Sequence, residues 1–589
     1  GKFEQTSPIT LQRDSKTQKL VGSRAGAVWY PVLMGMIKDA SQNIASRLVW
    51  HTAGRDQAGI AKELADGDDI PEVYGLGEAG LFDEFFYFLD HFGFKDLFMG
   101  LDPKSKKRES PVSFTAIIYI YLMRIVAGLK FFWHINPVIL HSQSLMRLVG
   151  FNGREVREGT SQRGIKKTPA DNPEKEHEPG TKIRGPVCPG FIASSVAAIT
   201  AKSLEKMFNR SITILAANKF FAKKVHVVLD ASEVESTERC IDCGKVSKEK
   251  PPEVRRRKGR IRKVVETVFG FKIWVVWDPN SRLPLALRFT TIEVADVTIA
   301  REVIEQAIVN LGEHAKIVSI AIDRGFMDGA LLWWLNSVNV IFYIPAKTNM
   351  AVYTDAISLV DIGILQTREK KRGVGAGKNR TFVTDRWEAV GIKELTTAGF
   401  YGPLGSGSHE NRNDFVPNPI NAVVVLYDPF IENNPNIKTF VILTNGAVDK
   451  PLKVYDGYDA RSEIENSMFR EAKQAWFIEK PPVNTKAGFQ AHAYLTVLVM
   501  ALTTAFQVWM DQQDKLESAG EETGIRKFRE KVREENGNQL VIFNKDRYAI
   551  FFAYEVFILC GRNVISPNGV PERITKKDIL RKYGAPLRE

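Results

Sequence analysis

The chain has 589 residues, of which 44% are hydrophobic and 25% are charged, and its formal net charge is +12. This length exceeds what one compact core usually holds, so we expect two to four domains of a folded, globular protein. The positive charge favours a polyanionic partner, either nucleic acid or an anionic membrane surface, while only four cysteines exclude a disulfide framework and fit a reducing cytoplasm.

The first part of the chain, residues 1–150, is predicted to be mostly helical. A helix is expected at "AGIAKELADG", and aromatic-rich helical patterns run from "GEAGLFDEFFYF" to "LMRLVGFN". Residues 151–190 are polar, charged and rich in proline and glycine, which predicts a linker.

Two apolar stretches raise the question of a membrane. "FTAIIYIYLMRIVAGLKFFWHI" carries an arginine, a lysine and a histidine, and "FQAHAYLTVLVMALTTAFQVWM" contains a histidine and two glutamines. The second is long enough to span a bilayer. Because of these polar residues we interpret both stretches as buried helices and expect no membrane.

Alternating strand and helix patterns follow in residues 191–346. After a helical segment come three strand patterns, an amphipathic helix, a strand, a short helix and a strand. Asp230 ends the apolar run "VHVVLD", and Asp323 ends "AKIVSIAID". The ends of buried strands are where α/β folds place their sites.

A basic run, "VRRRKGRIRK", lies between the first two strand patterns. It is either a solvated loop or, given the charge of the whole chain, a loop that contacts phosphates. Its members are Arg255, Arg256, Arg257, Lys258, Arg260, Arg262 and Lys263.

The spacing of Cys240 and Cys243 in "CIDC" is half of a zinc site. A complete site would need Cys188, His177 or His226 to join from a distance in the sequence. Structural zinc is therefore one alternative, and two free thiols are the other.

Residues 347–445 interrupt the α/β pattern with short strands and many glycines, which predicts a β-rich insertion. Residues 446–510 are predicted to return to the core, and residues 511–589 to form a helical C-terminal region. The helix "GYDARSEIENSMFREAKQAWF" brings together Tyr458, Arg461, Glu465 and Lys473. A simpler interpretation of this helix is an exposed pair of Arg461 and Glu465 one turn apart.

Three carboxylates, on Asp230, Asp323 and Glu465, form the candidate catalytic constellation. Hard divalent cations prefer oxygen ligands, and two such ions can activate an attacking oxygen and stabilise a leaving oxygen. Each acid alone has a structural alternative, because aspartates at strand ends often cap turns. Glu463 and Glu471 are rival carboxylates on the helix, but neither has the spacing of Glu465 from Tyr458 and Arg461.

These motifs resemble those of DDE transposases of bacterial insertion sequences, in the group with a β-rich insertion and a Y-R-E-K signature. The matching residues lie in "VHVVLDAS", "VSIAIDRGFMDG" and "YDARSEIE", and the resemblance covers roughly residues 190–510. It implies an RNase H-like α/β core with a β-rich insertion, flanked by helical N- and C-terminal regions. It also implies that Asp230, Asp323 and Glu465 bind two Mg²⁺ ions, for which Mn²⁺ would substitute.

The reaction implied by the resemblance is cut-and-paste transposition on double-stranded DNA. The enzyme would nick the inverted-repeat ends, form and reopen a hairpin, and join the ends to target DNA, acting as a homodimer in a prokaryotic cytoplasm at the nucleoid. Residues 1–150 would bind DNA. Two alternatives remain open: a DNA-binding protein without activity, and a nuclease that does not join strands.

The resemblance also assigns residues that contact DNA. Arg461 would grip a phosphate through its planar fork, and Tyr458 would stack or hydrogen-bond near the 5′ end. A flipped base would need an aromatic platform. Trp387 is the candidate for this platform, or else a core residue of the insertion.

Lys473 departs from the signature, because seven residues separate it from Glu465 where the family has six, which would place the lysine at Ala472. At about 100° per residue, the extra residue rotates Lys473 away from Glu465. Lys473 is therefore expected to contribute less than Arg461, unless the helix contains a bulge.

Overall fold

The computed structural model describes residues 54–585 except for 71, 76–79, 102, 104–111, 159–185, 255–260, 375–380, 403–417, 429–437, 514–538 and 563–573. The basic-run residues Arg255, Arg256, Arg257, Lys258 and Arg260 lie outside the described residues, as does His177. Most of the predicted linker, residues 151–190, does as well.

From residue 54 onward, the described part of the N-terminal region is helical, apart from two short strands, β1 (Gly54–Arg55) and β2 (Glu72–Gly75). Its helices are Gln57–Asp66, Gly80–His91, Phe94–Met99, Phe114–Val126, Gln143–Leu148 and Gly153–Glu158, followed by Pro189–Ala197 and Ala201–Ala217. Phe114–Val126 is buried from Ala116 to its end, because apolar residues occupy all of its faces. This confirms the prediction of a buried helix.

The central sheet has five core strands: β3 (Lys224–Ser236), β5 (Ile261–Asp278), β6 (Leu283–Thr291), β7 (Lys316–Ile322) and β8 (Ile341–Pro345), with an extra strand β4 (Gly244–Val254). Helices Asp296–Leu311 and Gly329–Ser337 connect the last three core strands. The core order is β6-β5-β3-β7-β8, with β3, β5 and β6 antiparallel and β3, β7 and β8 parallel. This is the predicted RNase H-like core.

Two details of the first strands differ from the sequence expectation. The strand that was expected to end at Asp230 continues to Ser236, because β5 pairs with it as far as Ser236 and Phe269. Strand β4 was not predicted, since its sequence "GKVSKEKPPEV" contains two prolines. Its pairing with β5 shifts register between Lys250 and Glu253, where the two prolines lie, and prolines are tolerated at such irregular edge positions.

The insertion contains four antiparallel strands, β9 (Ile364–Val374), β10 (Thr381–Leu395), β11 (Ile420–Asp428) and β12 (Lys438–Thr444), after a helix at Ala351–Ser358. Strand β12 pairs with the core strand β8, so core and insertion form one continuous ten-stranded sheet. This agrees with the predicted β-rich insertion.

The site helix follows the insertion. It comprises Pro451–Asp459, Arg461–Glu463, a π-helical turn at Ile464–Phe469, and Arg470–Gln474. At Gly457, an added Cβ would lie 2.7 Å from the Tyr343 ring of β8, so glycine permits the helix to pack closely on the sheet.

The long helix Lys486–Gln513 contains a segment, Lys486–Met510, that is long and apolar enough to cross a membrane. Its mean hydropathy is 1.6, and 67% of the most apolar stretch is buried inside the protein. Leu495, Leu498 and Leu502 are fully buried in the main hydrophobic core. These contacts confirm the prediction of a buried core helix.

The C-terminal region, residues 511–589, is not wholly helical as was predicted. Strands β13 (Gln539–Asn544) and β14 (Arg547–Phe552) form a hairpin, followed by helices Ala553–Leu559 and Lys576–Lys582. The hairpin lies between β1 and β2 in a sheet of order β1-β14-β13-β2. The two ends of the described chain therefore share one sheet and one small hydrophobic core.

Candidate active site

Asp230 and Asp323 lie side by side at one end of the parallel strands. The register pairs Leu229 of β3 with Ile322 of β7, so the next residue in each strand is the aspartate. Asp323 directly follows β7 and begins the short 3₁₀ turn Arg324–Phe326. The strand pairing thus brings together two acids that are far apart in the sequence, as their positions at the ends of apolar runs indicated.

Arg461 joins Glu465 to this pair. Its Nη1 donates to Asp230 Oδ2 at 3.0 Å and to Glu465 Oε1 at 2.8 Å. The arginine side chain is 18% exposed, whereas the Glu465 side chain is 55% exposed. The pair of Arg461 and Glu465 that was considered from the sequence is present. Arg461 also bonds to the buried Asp230, so an exposed surface ion pair does not fully describe it.

Asp230 is the least exposed of the three acids, at 8%. Burial raises the pKa of its carboxyl to about 6; the Ala231 amide and Arg461 oppose this, and the charges of Glu465 and Asp323 add to it. The Ala231 amide donates to Asp230 Oδ1 at 2.8 Å. Asp230 therefore lies close enough to Glu465 and Asp323 for both of their charges to act on its carboxyl.

Tyr458 lies on the site helix, half-buried beside the same charges. Burial raises the pKa of its hydroxyl, Arg461 opposes the shift, and Asp323 and Glu465 contribute to it. Its ring packs near Phe440 of the insertion, with centroids 6.4 Å apart. The structure therefore brings together Tyr458, Arg461 and the three predicted acids.

A wide helical turn separates Glu465 from Lys473. The π-helical segment Ile464–Phe469 closes its hydrogen bonds over five residues instead of four, so it absorbs one extra residue. The position at the regular spacing, Ala472, is 1% exposed and packs in the core. The bulge that was the stated exception is therefore present between Glu465 and Lys473, and the rotation calculated for a uniform α-helix does not apply.

Lys473 itself pairs with Glu479, with Nζ 3.2 Å from Oε1, and its side chain is 35% exposed. The rival carboxylates have other partners. Glu463 accepts from Ser467 Oγ at 3.3 Å, and Glu471 lies 3.4 Å from Arg282 Nη2. Glu465 is thus the acid of this helix that reaches the Asp230 cluster.

Trp387 lies in the hydrophobic core of the insertion and is 9% exposed. Its indole N–H donates to the hydroxyl of Tyr455 on the site helix at 3.0 Å. A buried ring with this partner is not open to stack on a base, so in this structure Trp387 has the position of the core residue that was its alternative.

Cys240 and Cys243 are free thiols close enough to influence each other. Within the described residues, no group of three histidine, cysteine or acidic side chains is arranged to hold a metal ion. His226 instead bonds to Ser319, with Nδ1 2.7 Å from Oγ, and Cys188 is exposed. A third or fourth zinc ligand is therefore not found among the described residues.

The three acids also do not form a ready-made metal cage, because Arg461 bridges two of them. Their donor set is nonetheless all oxygen and partly buried, and the positive charge lies between Asp230 and Glu465. These residues fit hard divalent cations, provided that Arg461 moves to another partner.

A buried polar network lies behind the site helix and was not predicted from the sequence. Arg124 donates to the Lys480 carbonyl at 2.7 Å, and His492 Nε2 lies 3.0 Å from the Phe477 carbonyl. These bonds fix the segment that follows the site helix. An arginine and a histidine inside otherwise apolar helices were the available signal.

Comparison with known proteins bears on the part of the chain that contains this site. Residues 221–502 match the model of a family described as the transposase DDE domain. The solved structure of a piggyBac transposase synaptic complex with hairpin DNA is similar at a TM-score of 0.35 and 9% identity, covering 83% of this chain and 80% of that chain. No curated protein matches the chain. The family match supports a DDE transposase domain over residues 221–502, which contain every residue of the site.

Proposed function

We propose that the protein is a DNA transposase that cuts transposon ends by two-metal phosphoryl transfer and joins them to target DNA. One observation carries the proposal: Asp230 and Asp323 come directly after the paired residues Leu229 and Ile322, and Arg461 donates to both Asp230 and Glu465, within the segment that matches the DDE domain.

The acids would hold two divalent cations, Mg²⁺ or Mn²⁺, whose chemistry is to activate an attacking oxygen and stabilise a leaving oxygen. Arg461 would exchange its carboxylate partners for a DNA phosphate, which its planar fork can bind through two hydrogen bonds. Tyr458 would contact the cleaved end, and Lys473 would contact a further phosphate, since the wide turn compensates for its extra residue.

The DNA substrate would be double-stranded: the inverted-repeat ends of a bacterial insertion sequence, and then target DNA. The freed 3′-hydroxyl would attack the opposite strand to form a hairpin, and the reopened ends would be joined to the target. A homodimer would hold two ends together in the cytoplasm, at the nucleoid, without a membrane.

Single replacement of each acid tests this function. Asp230→Asn, Asp323→Asn and Glu465→Gln should each abolish Mg²⁺-dependent nicking of DNA that carries the inverted repeats flanking the gene. Binding of the same DNA should remain close to that of the unchanged protein, because the acids do not hold phosphates directly. Effects within such a unit are not additive, so double variants should be no worse than single ones.

Matched controls are available on the site helix. Glu463→Gln and Glu471→Gln change carboxylates that lie outside the cluster and should leave nicking unchanged. Nicking at the original rate by any of the three acid variants would remove that acid from the site. Nicking without transfer of the 3′ end to target DNA would favour the nuclease, and metal-independent binding alone would favour the inactive DNA-binding protein.

A further inference from the structure

The segment that follows the helix Phe114–Val126 presents two aromatic rings to solvent. Trp133 is 65% exposed and Phe131 is 45% exposed. Their planes are inclined by only 17°, with centroids 6.5 Å apart. His134 meets both rings edge-on, at 4.0 Å from Trp133 and 5.5 Å from Phe131. We call Phe131, Trp133 and His134, with Lys130, the aromatic patch.

Exposed aromatic rings of this size are costly to leave in water, and here they are held in a fixed arrangement. Phe132, between the two exposed rings in sequence, turns inward, and the guanidinium of Arg124 lies over it at 5.3 Å. Ile135 is fully buried on the other side of the patch. The buried neighbours therefore anchor a backbone that directs Phe131 and Trp133 outward.

A cation lies beside the exposed rings. Lys130 Nζ is 5.5 Å from the Phe131 ring centroid. Arg124 and Arg147 are near in the sequence, but both are buried, and Arg147 pairs with Glu72 at 2.6 Å, so neither adds to the charge that the patch presents. Flat rings beside a cation are features that bind the bases and the phosphates of single-stranded nucleic acid.

The patch is connected to the end of the site helix. Arg124, which packs on Phe132, donates to the Lys480 carbonyl at 2.7 Å. The neighbouring residue Glu479 pairs with Lys473 of the site helix. The buried Arg124 therefore links the backbone beneath the patch to the segment that follows the site helix.

We propose that the aromatic patch binds unpaired nucleotides of DNA, by stacking bases on Trp133 and Phe131 while Lys130 contacts a phosphate. This inference rests on the proposed function for its choice of DNA. It assigns to the N-terminal region a role in holding single-stranded DNA, which the buried Trp387 cannot take in this structure.

The test is the affinity for a labelled oligothymidine of about ten nucleotides, measured by fluorescence anisotropy without divalent ions. Trp133→Ala and Phe131→Ala should each weaken binding by about tenfold, which is the range expected for the loss of one stacked base. Trp133→Phe should retain most of the affinity, because a ring remains. Ile362→Ala, at an exposed apolar residue outside the patch, should have no effect.

Salt dependence separates stacking from charge. Trp133→Ala should lower affinity equally at all salt concentrations, whereas Lys130→Gln should reduce the slope of log affinity against log salt by roughly 0.7, the value for one phosphate contact on a single strand. Binding of the corresponding duplex should be unchanged in Trp133→Ala. Because Trp133 and Phe131 are exposed, both variants should melt like the original protein.

Unchanged oligothymidine affinity in both Trp133→Ala and Phe131→Ala would overturn the inference. In that case, a dimer that dissociates on sedimentation of these variants would indicate that the patch binds a second copy of the chain. Loss of binding to anionic vesicles in the variants would indicate that it binds a membrane. DNA nicking is measured separately. A protein that does not nick DNA but binds oligothymidine through Trp133 would contradict the proposed transposase and still support binding at the aromatic patch.

Discussion

Two arginines have opposite surroundings: Arg124, which bonds to the segment after the site helix, and Arg461, which lies on the site helix itself. Arg124 is 1% exposed, and its partners are neutral: the Tyr121 hydroxyl at 3.1 Å, the Lys480 carbonyl and the ring of Phe132. Arg461 is partly exposed, and its partners are the carboxylates of Asp230 and Glu465. Among the described residues, no carboxylate forms an ion pair with Arg124.

These surroundings indicate that Arg124 has a structural role, whereas another cation could replace Arg461. The neutral groups around Arg124 belong to a fixed network, in which His492 Nε2 must donate to the Phe477 carbonyl and Nδ1 must therefore accept from Tyr121. Around Arg461 three carboxylates face one guanidinium, so negative charge remains in excess. A bound metal ion can neutralise this excess negative charge, whereas no metal ion can replace the hydrogen bonds that Arg124 donates to the Tyr121 hydroxyl and the Lys480 carbonyl.

The largest expected effect is therefore the loss of Arg124. Arg124→Met should lower the free energy of unfolding by about 3 kcal/mol, because it leaves buried partners unsatisfied and frees the segment after the site helix. Urea denaturation measures this, and added Mg²⁺ should not restore the loss. Arg461→Met should cost less and should be restored by Mg²⁺, since the ion takes the place of the guanidinium. An equal, unrestored loss in both variants would end the distinction between them.

The pH dependence of stability tests whether His492 stays neutral inside the buried network around Arg124. Burial, reinforced by the charge of Arg124, lowers the pKa of His492 to about 3. The unfolded chain binds a proton near the ordinary value of 6.5 while the folded protein does not, so stability is lost as pH falls below 6.5. Between pH 8 and pH 5 this amounts to about 2 kcal/mol. In His492→Gln that part of the pH dependence should disappear, and an identical pH profile in both proteins would contradict the prediction.

The opposite sign is expected at the site, where burial raises the pKa of Asp230 to about 6. The folded protein then binds a proton more readily than the unfolded chain, so stability falls as pH rises from the ordinary pKa of 3.8 to about 6 and stays lower above that pH. Asp230→Asn should raise the metal-free stability at pH 8 by up to about 3 kcal/mol, and by little at pH 4. Thermal melting in EDTA measures the gain. A destabilised Asp230→Asn protein would show that the bond from Arg461 outweighs the buried charge.

The smallest effects concern phosphate contacts. Arg461→Lys keeps the charge but loses the planar fork, and it should slow hairpin formation on a pre-nicked end by about tenfold or more. Lys473→Ala should slow it less, because a lysine acts only as a point charge. Folding is checked by melting. A larger loss in Lys473→Ala would show that the wide turn makes Lys473, rather than Arg461, the principal phosphate ligand.

The basic run supplies a related comparison on DNA binding. Replacing Arg255, Arg256 and Arg257 together by glutamine should flatten the slope of log affinity for end DNA against log salt by roughly one unit for each lost contact. Titration at several salt concentrations gives this slope, and the same change at Lys370 and Lys371 of the insertion serves as a control. An unchanged slope would place the basic run in solvent.

The positions of Asp230 and Asp323 could be predicted because apolar runs of strand length end at each of them. Strand pairing then leaves little freedom, since Leu229 must align with Ile322 for the apolar faces to be buried together. Glu465 was found through its spacing from Tyr458 and Arg461. These are local patterns whose partners are fixed by the topology of the sheet.

The remaining features depend on contacts that a local pattern does not contain. The π-helical turn at Ile464–Phe469 arises from how Ile464, Met468 and Ala472 pack into the core, and it cannot be read from helix propensity. The burial of Trp387 depends on Tyr455 and on strands distant in sequence. Strand β4 was not predicted because prolines and lysines are unusual in strands, although they are tolerated in a strand near the edge of a sheet.

The sheet shared by the two ends of the described chain has a consequence for biosynthesis. The side-chain amide of Gln57 donates to the carbonyl of Ile550 and accepts from its N–H, both at 2.6 Å, across 493 positions. At translation rates of roughly 5–20 residues per second, Ile60 and Leu64 wait on the order of half a minute or more for the strands that cover them. The helix Gln57–Asp66 therefore leaves the ribosome with an exposed apolar face, to which chaperones can bind until the last strands are made.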